Sequence, residues 1–195
     1  LRIKHEGLSP KNRKAMGQFD EANQVTRYVN SPSSLWGRAE ALKADAEDSK
    51  IPQQALLMVQ AAIAIEIMMF APMRLHNLAT IRLDQHVNRF KGRIHLHFEA
   101  NEVKNDLALD FVLPELTSKR IDRYIKDWRP SAGHDGNPYL FPGRNGAPKE
   151  QGGLGKQISK AVFAQTGLTL TPHQFRHTAA KLLLDAKPGH YEVVR

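Results

Sequence analysis

The sequence contains no cysteine. A disulfide framework, a thiolate nucleophile and a cysteine-bound metal are thereby excluded, and a reducing cytoplasm is the expected setting. The first residues lack the pattern of a secretory signal, and no internal repeat or low-complexity tract occurs. Long apolar runs are scarce. The longest, residues 55–70, is interrupted by Gln60 and Glu66 and predicts a buried helix rather than a bilayer span. Acidic residues are outnumbered, with 20 Asp and Glu against 28 Lys and Arg and a net charge of +8. That excess calls for a polyanionic partner, either nucleic acid or an anionic membrane surface.

What is present suffices for one folded unit. With 195 residues, 41% of them hydrophobic and 25% charged, the chain buries a core without external support. Residues 1–17 are basic and turn-rich and are expected to form a linker or arm, either touching a phosphate backbone or merely soluble. Residues 18–195 are expected to form the domain itself. The chain starts at Leu1 and ends inside the patterned segment 191–195, as expected of a piece of a longer protein.

A short helix is expected over residues 20–29, stopping before Ser31-Pro32, and a second over 34–48 with Leu35, Trp36, Ala39 and Leu42 inward. Residues 53–70 are apolar nearly all round, the pattern of a helix in mid-core. A new helical period, Leu75, Leu78, Ala79 and Leu83, begins after Pro72 and leaves Arg74 at a turn beside that helix. From residue 85 the period becomes alternating. Ile94, Leu96 and Phe98 face one way and Arg93, His95 and His97 the other, with a turn expected over 88–92. Asn105-Asp106 marks a second turn, after which Leu107, Leu109, Phe111 and Leu113 alternate. Residues 115–128 read as an amphipathic helix with Leu116, Ile121, Tyr124, Ile125 and Trp128 inward and Lys119, Arg120, Arg123, Lys126 and Arg129 outward. Another helix covers 154–165, with Gly167 as its stop. A last one starts at Pro172, with Thr171 as N-cap and Gln174 completing a capping box. The expected fold is α+β, mainly α-helical with a small antiparallel sheet or hairpin.

Chemistry concentrates in a few places. His173 and Arg176 are three residues apart, so both project from the first turn of the last helix, where backbone N–H groups and the dipole favour an anion. Such a pair either makes a phosphate site or consists of ordinary solvated and capping residues. Arg74, in its apolar neighbourhood, needs a partner, structural or otherwise. The basic face of 115–128 either follows a phosphate backbone or is an ordinary solvated face. His95 and His97 raise a metal hypothesis, against which stand a solvated or DNA-facing strand and the absence of nearby acids at ligand spacing. Lys104 lies at a hairpin tip, where lysine commonly serves solubility.

Pro172-His-Gln-Phe-Arg-His-Thr-Ala-Ala180 resembles the His-x-x-Arg box of the tyrosine recombinases, the phage-type integrases. The stretch Arg74-Leu-His-Asn-Leu-Ala-Thr-Ile resembles that family's first arginine box, with Asn77 where the family has an acid. Tyr139-Leu-Phe-Pro142 is similar to its Leu-Phe-Pro element. The resemblance covers roughly residues 50–195. It implies a recombinase catalytic domain with Arg74, Lys104, His173 and Arg176 as catalytic residues, and DNA contacts from Arg120, Arg123, Lys126 and His177. It implies no cofactor and no metal, double-stranded DNA and further protomers as partners, no membrane, and a phage or mobile-element role in the cytoplasm. The family's nucleophilic tyrosine is expected downstream, since Tyr191 falls too close to Arg176, and Tyr28, Tyr124 and Tyr139 match no motif. As given, the chain is expected to bind DNA and to cleave poorly. The alternatives are a type IB topoisomerase-like or telomere resolvase-like strand transferase, or a non-catalytic DNA-binding module.

Overall fold

The computed structural model describes residues 9–47, 50–104, 106–133, 136–171, 173–175, 177–179 and 182. Its first element, α1 (Pro10–Gly17), starts with Ser9, whose hydroxyl accepts the Asn12 N–H at 3.4 Å, and with proline at the first helical position. Ala15 and Met16 of α1 are buried in the core. From Pro10 onward the stretch expected to be a linker is therefore packed structure. The signal was weak because only those two residues of α1 face inward.

Helix α2 (Ala22–Ala44) runs unbroken through Pro32, where a break between two helices was expected. Proline removes the N–H that would bond to the Tyr28 carbonyl. The Ser31 hydroxyl donates to that carbonyl instead, at 2.7 Å. Helix α3 (Gln53–Phe70) spans the residues expected and is buried on all sides, from Ala55 to Met68. It is long and apolar enough to cross a membrane, yet 67% of it is buried inside the fold, which makes it the core helix. It packs against α2, and the short α4 (Leu75–Ala79) follows.

Three antiparallel strands lie in the order β1 (Val87–Phe90), β2 (Arg93–Phe98) and β3 (Leu109–Val112). Only the end of the segment expected to hold a turn does so. Lys91 (φ 48°) and Gly92 (φ 74°) form the two-residue connection between β1 and β2, the left-handed pair that a tight hairpin needs. The alternation in β2 holds, with Ile94, Leu96 and Phe98 each about 1% exposed. Helix α5 (Glu115–Asp127) covers this face. Leu116, expected inward, is 60% exposed, while Thr117 and Ser118 are buried. Polar partners decide this: the Thr117 hydroxyl donates to Glu66 at 2.9 Å, and the Ser118 hydroxyl accepts the Ile94 N–H at 2.8 Å. Arg129, expected outward, turns back onto the Tyr139 and Asn137 carbonyls. Helix α6 (Gln151–Thr166) packs on α2, α3 and α4 and ends at Gly167 (φ 76°), the expected stop. The expected fold class, mainly helical with a small antiparallel sheet, is the one observed.

Lys149 is largely buried, and its ammonium donates to Gln60 Oε1 at 2.7 Å. Burial pulls its pKa down from 10.5 to about 8. Between those values the unfolded chain holds a proton that the folded chain has released. Stability therefore rises as the pH passes from about 8 towards 10.5, because the buried charge is lost from the folded state. With partial exposure discounted, the expected gain is about 1–2 kcal/mol, and Lys149→Gln, which keeps a donor for Gln60, should remove it. Urea unfolding of both proteins across this range checks it; identical pH profiles would refute the assignment.

Candidate functional site

Arg74 is placed by the way α3 ends. The Ala71 N–H closes the helix on Ile67, and the Met73 N–H folds back onto the Ala71 carbonyl at 2.7 Å. Pro72 stiffens this turn, and Met73, 2% exposed, anchors it in the core. Arg74 follows as the N-cap of α4 in extended conformation (φ −69°, ψ 150°), half-buried at the helix start. Asn77, the residue standing where the family resemblance calls for an acid, is buried. Its amide nitrogen donates to the Glu102 carbonyl at 3.5 Å, tying α4 to the loop between β2 and β3.

His173 comes from the far end of the sequence. Residues 173–175 and 177–179 are helical, and the Gln174 half of the expected capping box is formed: the Thr171 N–H donates to Gln174 Oε1 at 2.9 Å, while the Gln174 N–H bonds to the Thr171 carbonyl at 2.8 Å. Helix α1 clamps this segment. Asn12 bonds both Gln174 and His177, each at 3.2 Å, and Gln18 bonds both backbone groups of Thr169. Phe175, fully buried, stacks on Tyr28 at 6.3 Å. His173 is exposed, with its ring 5.6 Å from that of His177. Arg176 lies outside the described residues.

Arg74 and His173 line one cleft of about 370 Å³, together with Met73, Leu75, His76, Gln151 and Thr171. Its polar lining residues are one arginine, two histidines, one threonine and one glutamine, and none of these residues is acidic. Its walls are the first turns of α4 and α6 and the start of the last helical segment, the ends of helices that favour negative charge. Glu150, beside Gln151, spends its carboxylate on the N–H groups of Gly152 and Gly153, which hold its pKa below the ordinary range. Chemically, the cleft suits an oxyanion such as a phosphodiester.

The other expected site residues lie elsewhere. Lys104 is exposed on the loop after β2, next to buried Val103, and is not among the residues lining the cleft. Arg120 bonds Glu66 at 3.1 Å and Ser33 at 2.8 Å, and Arg123 bonds Glu40 at 2.7 Å and lies over Trp36. Lys126 is exposed, and His177 is engaged with Asn12. No residue of α5 lines the cleft. Among the described residues no cluster of three or more His, Asp or Glu is arranged to hold a metal. His97 instead faces Asp110 at 2.7 Å and Glu99 at 3.1 Å, and these bonds raise its pKa. Four residues were not legible as contributors in the sequence: His76 and Gln151 in the cleft, and the pair His86–Glu102, whose Glu102 carbonyl bonds Asn77. Glu99 and Glu102 do form a capping box, but glutamate at its first position is an unusual signal.

The phage integrase family profile matches residues 39–190. No curated protein sequence matches the chain. Among solved structures, the XerH site-specific recombinase bound to difH substrate in a pre-cleavage complex aligns with a TM-score of 0.60 at 18% identity. The alignment covers 85% of this chain and 42% of that one, with the same values for XerH on palindromic difH in a post-cleavage complex. The XerA recombinase aligns with a TM-score of 0.57 at 17% identity, over 89% of this chain and 53% of that one. The chain thus spans about half the length of these structures, and at such identities the likeness concerns the fold. The profile runs over most of the chain, and through both arginine boxes noted in the sequence. On that ground the chain belongs to the phage integrase family, the tyrosine recombinases.

Proposed function

We propose that this chain is the catalytic portion of a site-specific recombinase that breaks and rejoins duplex DNA through a 3′-phosphotyrosyl intermediate. The carrying observation is that Arg74 and His173, from boxes at opposite ends of the domain, line the same cleft with no acid among its described lining residues. Arg74 and Arg176 bind the two non-bridging oxygens of the scissile phosphate, with hydrogen bonds that strengthen as charge builds there. His173 donates a hydrogen bond or takes the proton of the attacking hydroxyl, and Lys104 protonates the departing 5′ oxygen. The nucleophile is a tyrosine outside the sequence given, whose ester with DNA preserves the bond energy for resealing. The net charge of +8 supports a DNA partner, and synapsis brings further protomers together.

A nicked substrate that loses its short leaving strand traps the intermediate. The full-length protein is expected to form a protein–DNA adduct that survives denaturation and EDTA, with the DNA linked to tyrosine. Absence of an adduct at any site the protein binds, or loss of cleavage in EDTA, would refute the mechanism. In the same assay Arg176→Ala is expected to slow cleavage about 10²–10³-fold, as for loss of one oxyanion donor.

A further inference from the structure

Joined to α4 through Asn77, a histidine–carboxylate pair holds the root of the loop that carries Lys104. His86 is 5% exposed, and both its ring nitrogens are engaged. The Arg82 N–H donates to Nδ1 at 2.9 Å, so Nε2 carries the proton and donates to Glu102 Oε1 at 3.0 Å. The other Glu102 oxygen accepts the Glu99 N–H at 2.9 Å, and the Glu102 carbonyl accepts the Asn77 amide. Phe98 fixes the His86 ring from its flank, with ring centroids 4.5 Å apart. Glu102 is thus the junction of three elements: α4, which begins at Arg74; the segment before β1; and the loop that reaches Lys104 two residues later.

We propose that His86 and Glu102 are positioning residues that set the Lys104 ammonium relative to the Arg74 cleft. The pair touches no reacting atom. It holds the loop's 3₁₀ turn (Ala100–Glu102) against the α4 segment, so that the lysine is presented from a fixed root although its own side chain is exposed. The proposal rests on Lys104 being the acid. In that step the tyrosine hydroxyl passes its proton to His173 as its oxygen bonds to phosphorus, the P–O5′ bond breaks, and the Lys104 proton passes to O5′, leaving a neutral amine. A misplaced acid slows this step alone.

That selectivity supplies the test. If sulfur replaces the bridging 5′ oxygen, the leaving group is a thiolate, which departs without a proton because thiols are far more acidic than alcohols. Single-turnover cleavage is measured with the full-length protein on nicked duplexes of its selected binding site, one with O5′ and one with S5′. Glu102 is partly exposed, so Glu102→Ala is a mild change for the fold. It is expected to slow the oxygen substrate about 10–100-fold, the cost of misplacing a catalytic group by about 1 Å, and the sulfur substrate less than about threefold. Glu102→Gln keeps an acceptor for His86 but loses the one for the Glu99 N–H, and is expected to restore part of the oxygen rate. Equal slowing of both substrates, or of neither, overturns the proposal.

Amide exchange of the DNA-free protein gives a second readout. The N–H groups of Val103 and Asp106 bond to the Ala100 and Val103 carbonyls. In Glu102→Ala they are expected to exchange about tenfold faster while α3 amides keep their rates; unchanged loop exchange also overturns the proposal. If the wild type cleaves neither duplex, the recombinase mechanism itself fails, and the exchange result still shows whether the pair holds the loop.

Discussion

Arg74→Ala in the full-length protein is expected to lower single-turnover DNA cleavage about 10²–10³-fold while leaving DNA affinity within about threefold. A guanidinium at the start of α4 offers two parallel N–H donors to a phosphate. These count most when charge accumulates on the non-bridging oxygens, so the loss falls on rate more than on binding. Arg74→Lys keeps the charge but loses the paired geometry, and is expected to recover only part of the rate. Half-burial beside the anchored Met73 makes the position rigid, so a longer or shorter cation does not reach the same point. Rate constants from denaturing gels of nicked-substrate cleavage measure this. A loss below threefold, or one confined to affinity, would remove Arg74 from the chemistry.

Arg120→Ala is expected to be the most damaging substitution for stability, by about 2–4 kcal/mol. Glu66 is 5% exposed near the C-terminal end of α3, and its Oε1 is held by Arg120 at 3.1 Å and by the Thr117 hydroxyl. Its Oε2 is buried with no hydrogen-bond partner among the described residues. Removing the guanidinium leaves a carboxylate in the core with one neutral donor, which is far costlier than the pair itself is valuable. The loss corresponds to a melting shift of about 5–15 °C for a chain of this size. Adding Glu66→Gln removes the uncompensated charge and is expected to recover more than half of it. Urea unfolding of the single and double variants measures both. If Arg120 instead served chiefly on DNA, Arg120→Ala would weaken binding and lower its salt dependence at unchanged stability.

These two arginines show how far residue type alone reaches. On a helical wheel Arg120 belongs to a basic outer stripe with Arg123 and Lys126. Its length and its i+3 relation to Thr117 let it reach inward to a glutamate 54 residues earlier in the chain. Nothing local announces that pairing. The same holds at Leu116: hydrophobicity assigns it inward, but Thr117 and Ser118 serve the buried Glu66 carboxylate and the Ile94 N–H, and their orientation turns Leu116 out. At Pro32 the local rule was right about the lost hydrogen bond, and Ser31 replaced it.

Local chemistry was legible wherever the cause was local. The all-round apolar α3, the alternation of β2, the Gln174 bond back to the Thr171 N–H and the Gly167 stop follow from period, capping and left-handed glycine, and each formed as expected. The two boxes that carry Arg74 and His173 are visible as residues in order. By contrast, that these two line one cleft, that Gln151 and His76 join them, that α1 clamps the last helical segment, and that His86 meets Glu102 were decided only by tertiary structure. The physical reason is distance along the chain. Periodicity and capping act within a few residues, whereas the cleft depends on where separate helices end against a shared core, and a buried polar group takes whichever partner that packing brings within reach.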